Sequence, residues 1–356
     1  KSSEGFKSAN WDAFPDGYES LIDKEEIWPR MLRNALSLGF NDNLLEYSNK
    51  RFSTGKHGLW KDMKEGDFPD LLDDKNIPQG AAEKVAPHLK ALCNAVEKSY
   101  VLDNFLGETG SPQVIPLRIM DAGKSREFKY NNHDIDDIYH SWFIFNQLMH
   151  IKSPKPIICE IGAGYGGVAA KIKRNIPSAK VIIFDLPEVN VAQSYYLSQE
   201  FKGKKFLGYS DFLDNKFRIL EEDFDFLILP GWTINEVLIE NSVDAFINIR
   251  SMMEMNLETI DYYFKNIQRT LKANGIFACV NRYLKGVGLK GNYIQNFFSN
   301  YPFDEYWSAL YSFPSELQPH IHFLVAKREK SPPVFPFREI LKTIRPNPFR
   351  SVKKAN

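Results

Sequence analysis

The chain has 356 residues, 43% of them hydrophobic and 14% aromatic, enough for one large or two fused domains with a sizeable core. Lys plus Arg equal Asp plus Glu at 45 each. There is therefore no global basic field, and nucleic acid is excluded as the main partner because phosphate binding draws on concentrated positive charge. No apolar run reaches the ~18 residues of a membrane span, and no signal peptide is visible. Cys93, Cys159 and Cys279 are widely spaced and read as reduced, with Cys159 and Cys279 buried in apolar runs. Together these features predict a cytoplasmic protein.

In chain order, residues 1–110 read as mostly helical and irregular, with periodic apolar positions at 27–36 and 91–96 and polar loops such as 61–75. An edge strand is predicted at 114–119, because Pro116 cannot donate to a ladder. Residues 134–150 read as a helix, with Asn132 or Asp134 as its cap. From residue 155 strands alternate with helices, which implies parallel βαβ units. The strands fall at 157–160, 181–184, 224–229, 245–248 and 276–280. A helix at 257–271 stops at Asn274-Gly275. Extended runs at 306–312 and 321–326 suit an antiparallel hairpin that closes the sheet, and the polar stretch 202–222 looks like an insertion. The predicted fold is α/β: a Rossmann-like, mostly parallel sheet with an antiparallel last strand, preceded by a mainly helical N-terminal region. The predicted divisions are 1–130, 131–330 and a tail at 331–356. That tail sets six Lys or Arg against one Glu and interleaves them with Phe335, Phe337, Ile340, Leu341 and Ile344. It suits docking on an acidic membrane surface or a protein partner, or else a loosely packed basic terminus.

The most informative segment is 157–167, where an apolar strand runs through Glu160 into a glycine-dense turn and then a helix. Such a crossover holds an adenosine-type cofactor, because the turn accepts positive φ and a ligand approaches bare backbone at a helix N-terminus. Gly162, Gly164 and Gly167 fit G-x-G-x-x-G, while Glu160, Gly162, Gly164 and Gly166 fit E-x-G-x-G-x-G; Ala163 and Tyr165 fill the turn. A carboxylate at Glu160 repels a pyrophosphate and favours a cationic cofactor. Asp185 ends the second strand, 21 residues after Gly164, where a carboxylate accepts both hydroxyls of a ribose; Leu186 follows and Pro187 starts the next helix. Pro230, Gly231 and Trp232 leave the third strand, with Trp232 as either a surface for an adenine ring or a core residue. Asn248 and Ser251 leave the fourth strand at the edge where ligands of open α/β sheets bind, and Glu254 follows as a base or substrate anchor. His133 and His140 lie on the helix before the sheet and are candidate general bases. No Cys/His cluster has zinc spacing, so no metal is predicted.

Through Glu160-Ile161-Gly162-Ala163-Gly164-Tyr165-Gly166-Gly167, Phe184-Asp185-Leu186-Pro187-Glu188, residues 243–248, Ser251-Met252-Met253-Glu254-Met255 and residues 261–264, the chain resembles the bacterial sugar O-methyltransferases. These are class I methyltransferases dependent on S-adenosylmethionine. The Asp-Leu-Pro-Glu and Ser-x-x-Glu-Met elements carry more of the likeness than the glycine turn, and the likeness covers roughly residues 130–285. It implies S-adenosylmethionine as methyl donor and a carbohydrate or nucleotide-sugar hydroxyl as acceptor, in glycan or nucleotide-sugar assembly. It also implies Glu160, residues 162–166, Asp185, Leu186, residues 230–232, Asn248 and Ser251 around the cofactor. A hydroxyl is a poor nucleophile, so a base from among His133, His140 and Glu254 should assist. Two other readings remain open. One is an NAD-dependent sugar oxidoreductase or epimerase using the same turn, which Glu160 and the lack of a Tyr-x-x-x-Lys pair disfavour. The other is a non-catalytic cofactor-binding scaffold in a glycan-assembly complex.

Overall fold

The computed structural model describes residues 91–105, 115–121, 124–130, 132–215, 218–287, 294–315, 317–318 and 320–345. The expectations for residues 1–90 and 346–356 lie outside them. Helix α1 (Lys98–Asn104) is followed by an antiparallel hairpin of β1 (Ile115–Asp121) and β2 (Lys124–Tyr130). The strand expected at 114–119 is thus one half of a two-stranded hairpin that stands apart from the main sheet. Strand β1 pairs with a partner so polar that its sequence carries no strand signal.

The remainder is one layered α/β unit. Its elements are α2 (Asn132–Leu148), β3 (Ile157–Ile161), α3 (Gly167–Asn175), β4 (Lys180–Asp185), α4 (Pro187–Glu200), β5 (Phe206–Leu207), α5 (Tyr209–Asn215), β6 (Phe226–Pro230), α6 (Ile234–Val237), β7 (Val243–Ile249), α7 (Leu257–Thr270), β8 (Leu271–Arg282), β9 (Leu284–Val287), β10 (Ile294–Phe297), β11 (Trp307–Pro314), β12 (Ile321–Arg328) and α8 (Phe337–Thr343). Eight strands form the sheet in the order β11-β12-β8-β7-β3-β4-β6-β5. Strands β3 to β8 pair in parallel, and β12 enters antiparallel between β8 and β11. This is the mostly parallel sheet with an antiparallel last strand pair that the sequence predicts.

Alternation along the strands explains why the sheet is buried on both faces. Ile182 and Phe184 of β4 turn to the face covered by α7, while Val181 and Ile183 turn to the face covered by α3 and α4. Helix α7 presents Ile260, Tyr263, Phe264 and Ile267 to the first face at helical spacing. Its N-terminus is capped by the Asn256 side chain, which accepts from the Thr259 N–H at 2.8 Å. Pro187 opens α4 as expected. The α7 helix ends at Thr270, earlier than Asn274-Gly275 suggests, because Leu271 already pairs with Val243. Asn274 still takes a left-handed φ of 68°, within the register shift that separates that pair from Ala245 and Ile276.

Two further expectations change. The insertion at 202–222 contains the short parallel edge strand β5 and helix α5. In the C-terminal tail Phe337, Leu341 and Ile344 are buried in the core beside Phe303 and Trp307. These apolar positions therefore serve this fold, while Phe335 stays exposed. The three cysteines are free, Cys93 exposed and Cys159 and Cys279 buried. Among the described residues no helix is long and apolar enough to cross a membrane, and no cluster suits a metal ion.

Candidate functional site

The carboxyl ends of β3, β4, β6 and β7 lie on one edge of the sheet, where the glycine turn, Asp185, Pro230 and Asn248 stand. After β3 the chain turns through Gly162 (φ 70°), Gly164 (φ 58°) and Gly166 (φ 94°) before α3 begins at Gly167. All three φ values belong to the left-handed region that costs an L-residue about 1–2 kcal/mol. A Cβ at Gly162 would also collide with the Ser251 side chain, whereas a Cβ at Gly164 would meet nothing within 4 Å. The bare backbone at Gly164 thus borders open space, a cradle that suits a ligand. Residues 162–164 are partly exposed; from Tyr165 onward the turn is buried.

Tyr165 therefore offers a ligand backbone rather than a side chain. Its hydroxyl donates to Asp137 Oδ2 at 2.6 Å and its ring packs edge-on to Tyr196. Below it, the wholly buried Lys171 of α3 holds Asp134 (3.5 Å) and Asp137 (3.8 Å) of α2. Asp134 and Asp137 stand three residues apart on one helix face, so α2 is latched to the helix that follows the glycine turn.

Glu160 is 3% exposed, and its Oε2 is a buried atom without a hydrogen-bond partner. Burial, then the nearby Asp137 and Asp185, push its carboxyl up to about 8, against the Ala169 N–H that it accepts. Burial thus disfavours the bare carboxylate expected from the sequence, and a cation placed against it would favour it again. Asp185 Oδ1 accepts from the Leu186 N–H at 2.8 Å and Oδ2 from Gln193 Nε2 at 2.7 Å. Gln193 also donates to the Gly164 carbonyl at 2.8 Å, tying the ends of β3 and β4 together. Burial raises Asp185 to about 7 despite these donors and the Gly164 and Ala163 N–H groups.

A pH signature follows. Folded Glu160 keeps its proton from its ordinary 4.5 up to about 8, whereas the unfolded chain has released it, so stability falls as pH rises through that window. Asp185 acts in the same direction between 3.8 and about 7. The melting temperature of the unmodified chain should fall more steeply between about pH 5 and pH 8 than that of Glu160→Gln, which keeps an acceptor for Ala169. Equal slopes in thermal scans would show that Glu160 is not a buried acid.

The β7 edge departs from expectation. Asn248 is fully buried and commits its side chain inward: Nδ2 donates to the Ile161 carbonyl (2.8 Å) and Ser251 Oγ (2.5 Å), while Oδ1 accepts from Met252 N–H and Asn281. Ser251 Oγ donates to the Ile161 carbonyl at 3.0 Å. Asn248 and Ser251 therefore fix the strand end that backs the glycine turn instead of facing the cleft. A side-chain amide at a strand end can point either way, and here Ile161 offers a carbonyl inside. Gly231 lies where a Cβ would collide with the Tyr263 hydroxyl. Pro230 pairs with Asp185, and the part-exposed Trp232 accepts from the Tyr262 hydroxyl through its carbonyl at 2.9 Å.

Of the candidate bases, His133 stands in the first turn of α2, with its side chain outside the described residues. His140 is overturned as a base. It is 2% exposed, its ring stacks on Phe323, and burial followed by the Arg250 charge holds it down to about 3. Glu254 stays partly accessible, in ion contact with Lys285 at 2.9 Å. Of the two histidines near β12, His320 lies just before the strand and His322 is buried against Ser312 and Tyr283. The residues that sequence reasoning missed are Asp137, Gln193 and Lys171. The i, i+3 acids at the start of α2 were the signal for the first.

Residues 120–218 match the family model of an O-methyltransferase domain, a span that contains the glycine turn, Asp185 and Gln193. No curated protein matches the chain. Among solved structures, the chain is similar to the pyocyanin biosynthetic protein PhzM (10% identity, 55% of this chain and 56% of that one, TM-score 0.35). It is similar also to the mitomycin 7-O-methyltransferase MmcR (11%, 55% and 57%, TM-score 0.33). A third is Haemonchus contortus phosphoethanolamine N-methyltransferase 2 in complex with S-adenosyl-L-methionine (17%, 42% and 30%, TM-score 0.29). The chain thus spans little more than half the length of the first two and under a third of the last.

Proposed function

We propose that this chain is an S-adenosylmethionine-dependent O-methyltransferase and that its acceptor is a sugar hydroxyl. The observation that carries the cofactor reading is the group of Glu160, Asp137 and Asp185 around a turn whose backbone borders open space at Gly164. Three carboxyl groups suit a cation and oppose the pyrophosphate of a dinucleotide. The orphaned buried Oε2 of Glu160 fits the same cation. The O-methyltransferase match at 120–218 supports the reaction class. The Asp-Leu-Pro-Glu and Ser-Met-Met-Glu-Met elements, through their resemblance to sugar O-methyltransferases, support the acceptor.

Residues 162–164 and Asp185 would hold the cofactor, the latter by accepting from ribose hydroxyls. When bound, it supplies a methyl group already activated on a sulfonium. What the protein then contributes is placement of the acceptor and removal of its proton. Glu254 is the accessible carboxylate at the β7 edge and takes that role, with Lys285 setting its orientation. The variant Glu254→Gln should lose about 100-fold in turnover, the range of a single acid–base group. Its affinity for S-adenosylhomocysteine should not change. Turnover is read by mass spectrometry of methylated sugars from a panel of free and nucleotide-linked acceptors. Full turnover in the variant would remove Glu254 from the mechanism, and weakened cofactor binding would make it a cofactor ligand instead.

A further inference from the structure

At the same sheet edge, on the acceptor side of the glycine turn, stand Arg250 after β7, Arg282 and Lys285 at the β8–β9 junction, and exposed His320 before β12. Arg250 holds a φ of 60°, unusual for a side chain-bearing residue, and keeps it through its N–H to the Val280 carbonyl at 2.7 Å. Two of the cations have acidic partners. Arg250 contacts Asp136 at 3.4 Å, and Lys285 contacts Glu254 at 2.9 Å. Asp136 is shared, since it also accepts from Gln318.

Arg282 differs. It is partly buried, its Nε is shut off from solvent, and its guanidinium makes no hydrogen bond or ion pair with any described residue. Its charged neighbours are Arg250, which repels it, and Glu254, which attracts it. The Nε donor of this planar fork is thus left unpaired and out of water beside a second cation, Arg250, which costs free energy. His320 stands among these cations as well, and Arg282, Arg250 and Lys285 add to partial burial in opposing its protonation.

We propose that Arg282, with Arg250, forms an oxyanion subsite of the acceptor pocket, so that the acceptor carries a phosphate or a carboxylate. An oxyanion would satisfy the fork bidentately and separate the two guanidinium charges. Arg250 adjoins Ser251, which backs Gly162, so the subsite neighbours the glycine turn without sharing its ligands. Only the word acceptor rests on the methyl-transfer reading; the anion site itself does not.

Calorimetric titration of the full chain with inorganic pyrophosphate and, separately, glucuronate tests this, each with and without S-adenosylhomocysteine. Saturable binding of pyrophosphate assigns a phosphorylated acceptor, and saturable binding of glucuronate a uronic acid. Arg282→Gln should weaken that binding at least about tenfold, the range for a charge-assisted hydrogen bond. Thermal melting should hold or rise, because the substitution removes an unpaired cation from beside Arg250, and S-adenosylhomocysteine affinity should be unchanged. No saturable binding of either probe, or equal binding by Arg282→Gln, overturns the subsite. If S-adenosylhomocysteine fails to bind while the anion still does, the methyl-transfer reading falls and the subsite stands.

Discussion

A chain carrying Lys171→Met is expected to lose about 3–5 kcal/mol of unfolding free energy, the cost of removing one partner from a buried ion pair. Lys171 is wholly buried, and the Asp134 carboxylate it faces is 2% exposed. Methionine fills the stem but supplies no charge, so Asp134 would be left without the ammonium in a place that water does not reach. Asp137, which also accepts from the Tyr165 hydroxyl, would lose the same neighbour. The effect should therefore spread to the glycine turn and weaken cofactor binding as well. Lys204→Met provides the contrast. Its 3.4 Å contact with Asp225 involves a side chain 41% exposed, and such pairs contribute about 0–1 kcal/mol. Urea denaturation of both variants checks the pair of expectations; a loss below about 1 kcal/mol for Lys171→Met would mean that Asp134 is satisfied without it.

Asp185→Ala is expected to weaken S-adenosylhomocysteine binding by about 100-fold or more. A carboxylate that accepts from two ribose hydroxyls contributes two charge-assisted hydrogen bonds, each about 1.5–3 kcal/mol, and about 1.4 kcal/mol is tenfold in affinity. The substitution also leaves Gln193 Nε2 and the Leu186 N–H without their acceptor. Gln193 would keep the Gly164 carbonyl, so the β3–β4 link survives in part and the chain should remain folded. Asp185→Asn should bind more tightly than Asp185→Ala, because the amide oxygen restores one acceptor.

The parts of this protein that alternate regularly are the parts that sequence reading reached. The central parallel strands β3, β4, β6 and β7 are apolar runs of five to seven residues bounded by polar turns, and their alternation with helices implied the parallel pairing observed. Gly162, Gly164 and Gly166 announce left-handed φ because few other residues take it cheaply. Strand β2 was illegible because its sequence Lys-Ser-Arg-Glu-Phe-Lys-Tyr lacks an apolar face and depends on the hairpin. The fate of the tail was equally hidden: Phe337, Leu341 and Ile344 read as a docking stripe because the surface that receives them, at Phe303, lies more than thirty residues away. At the site, residue type was legible and direction was not. Asn248 and His140 have the right chemistry for a cleft, yet Asn248 meets the Ile161 carbonyl and His140 meets Phe323. Gln193 and Lys171 sit in helix interiors, where nothing local distinguishes a partner of Asp185 or Asp137 from an ordinary polar residue.

The central claim is that the acidic glycine turn holds S-adenosylmethionine. Calorimetric titration of the full chain with S-adenosylmethionine, S-adenosylhomocysteine and NAD(H), repeated on Asp185→Ala, tests it most directly. The account predicts saturable one-to-one binding of the two adenosyl compounds, weakened about 100-fold or more by the substitution, and no binding of NAD(H). Saturable binding of NAD(H) without binding of either adenosyl compound would contradict it and turn the search toward redox chemistry.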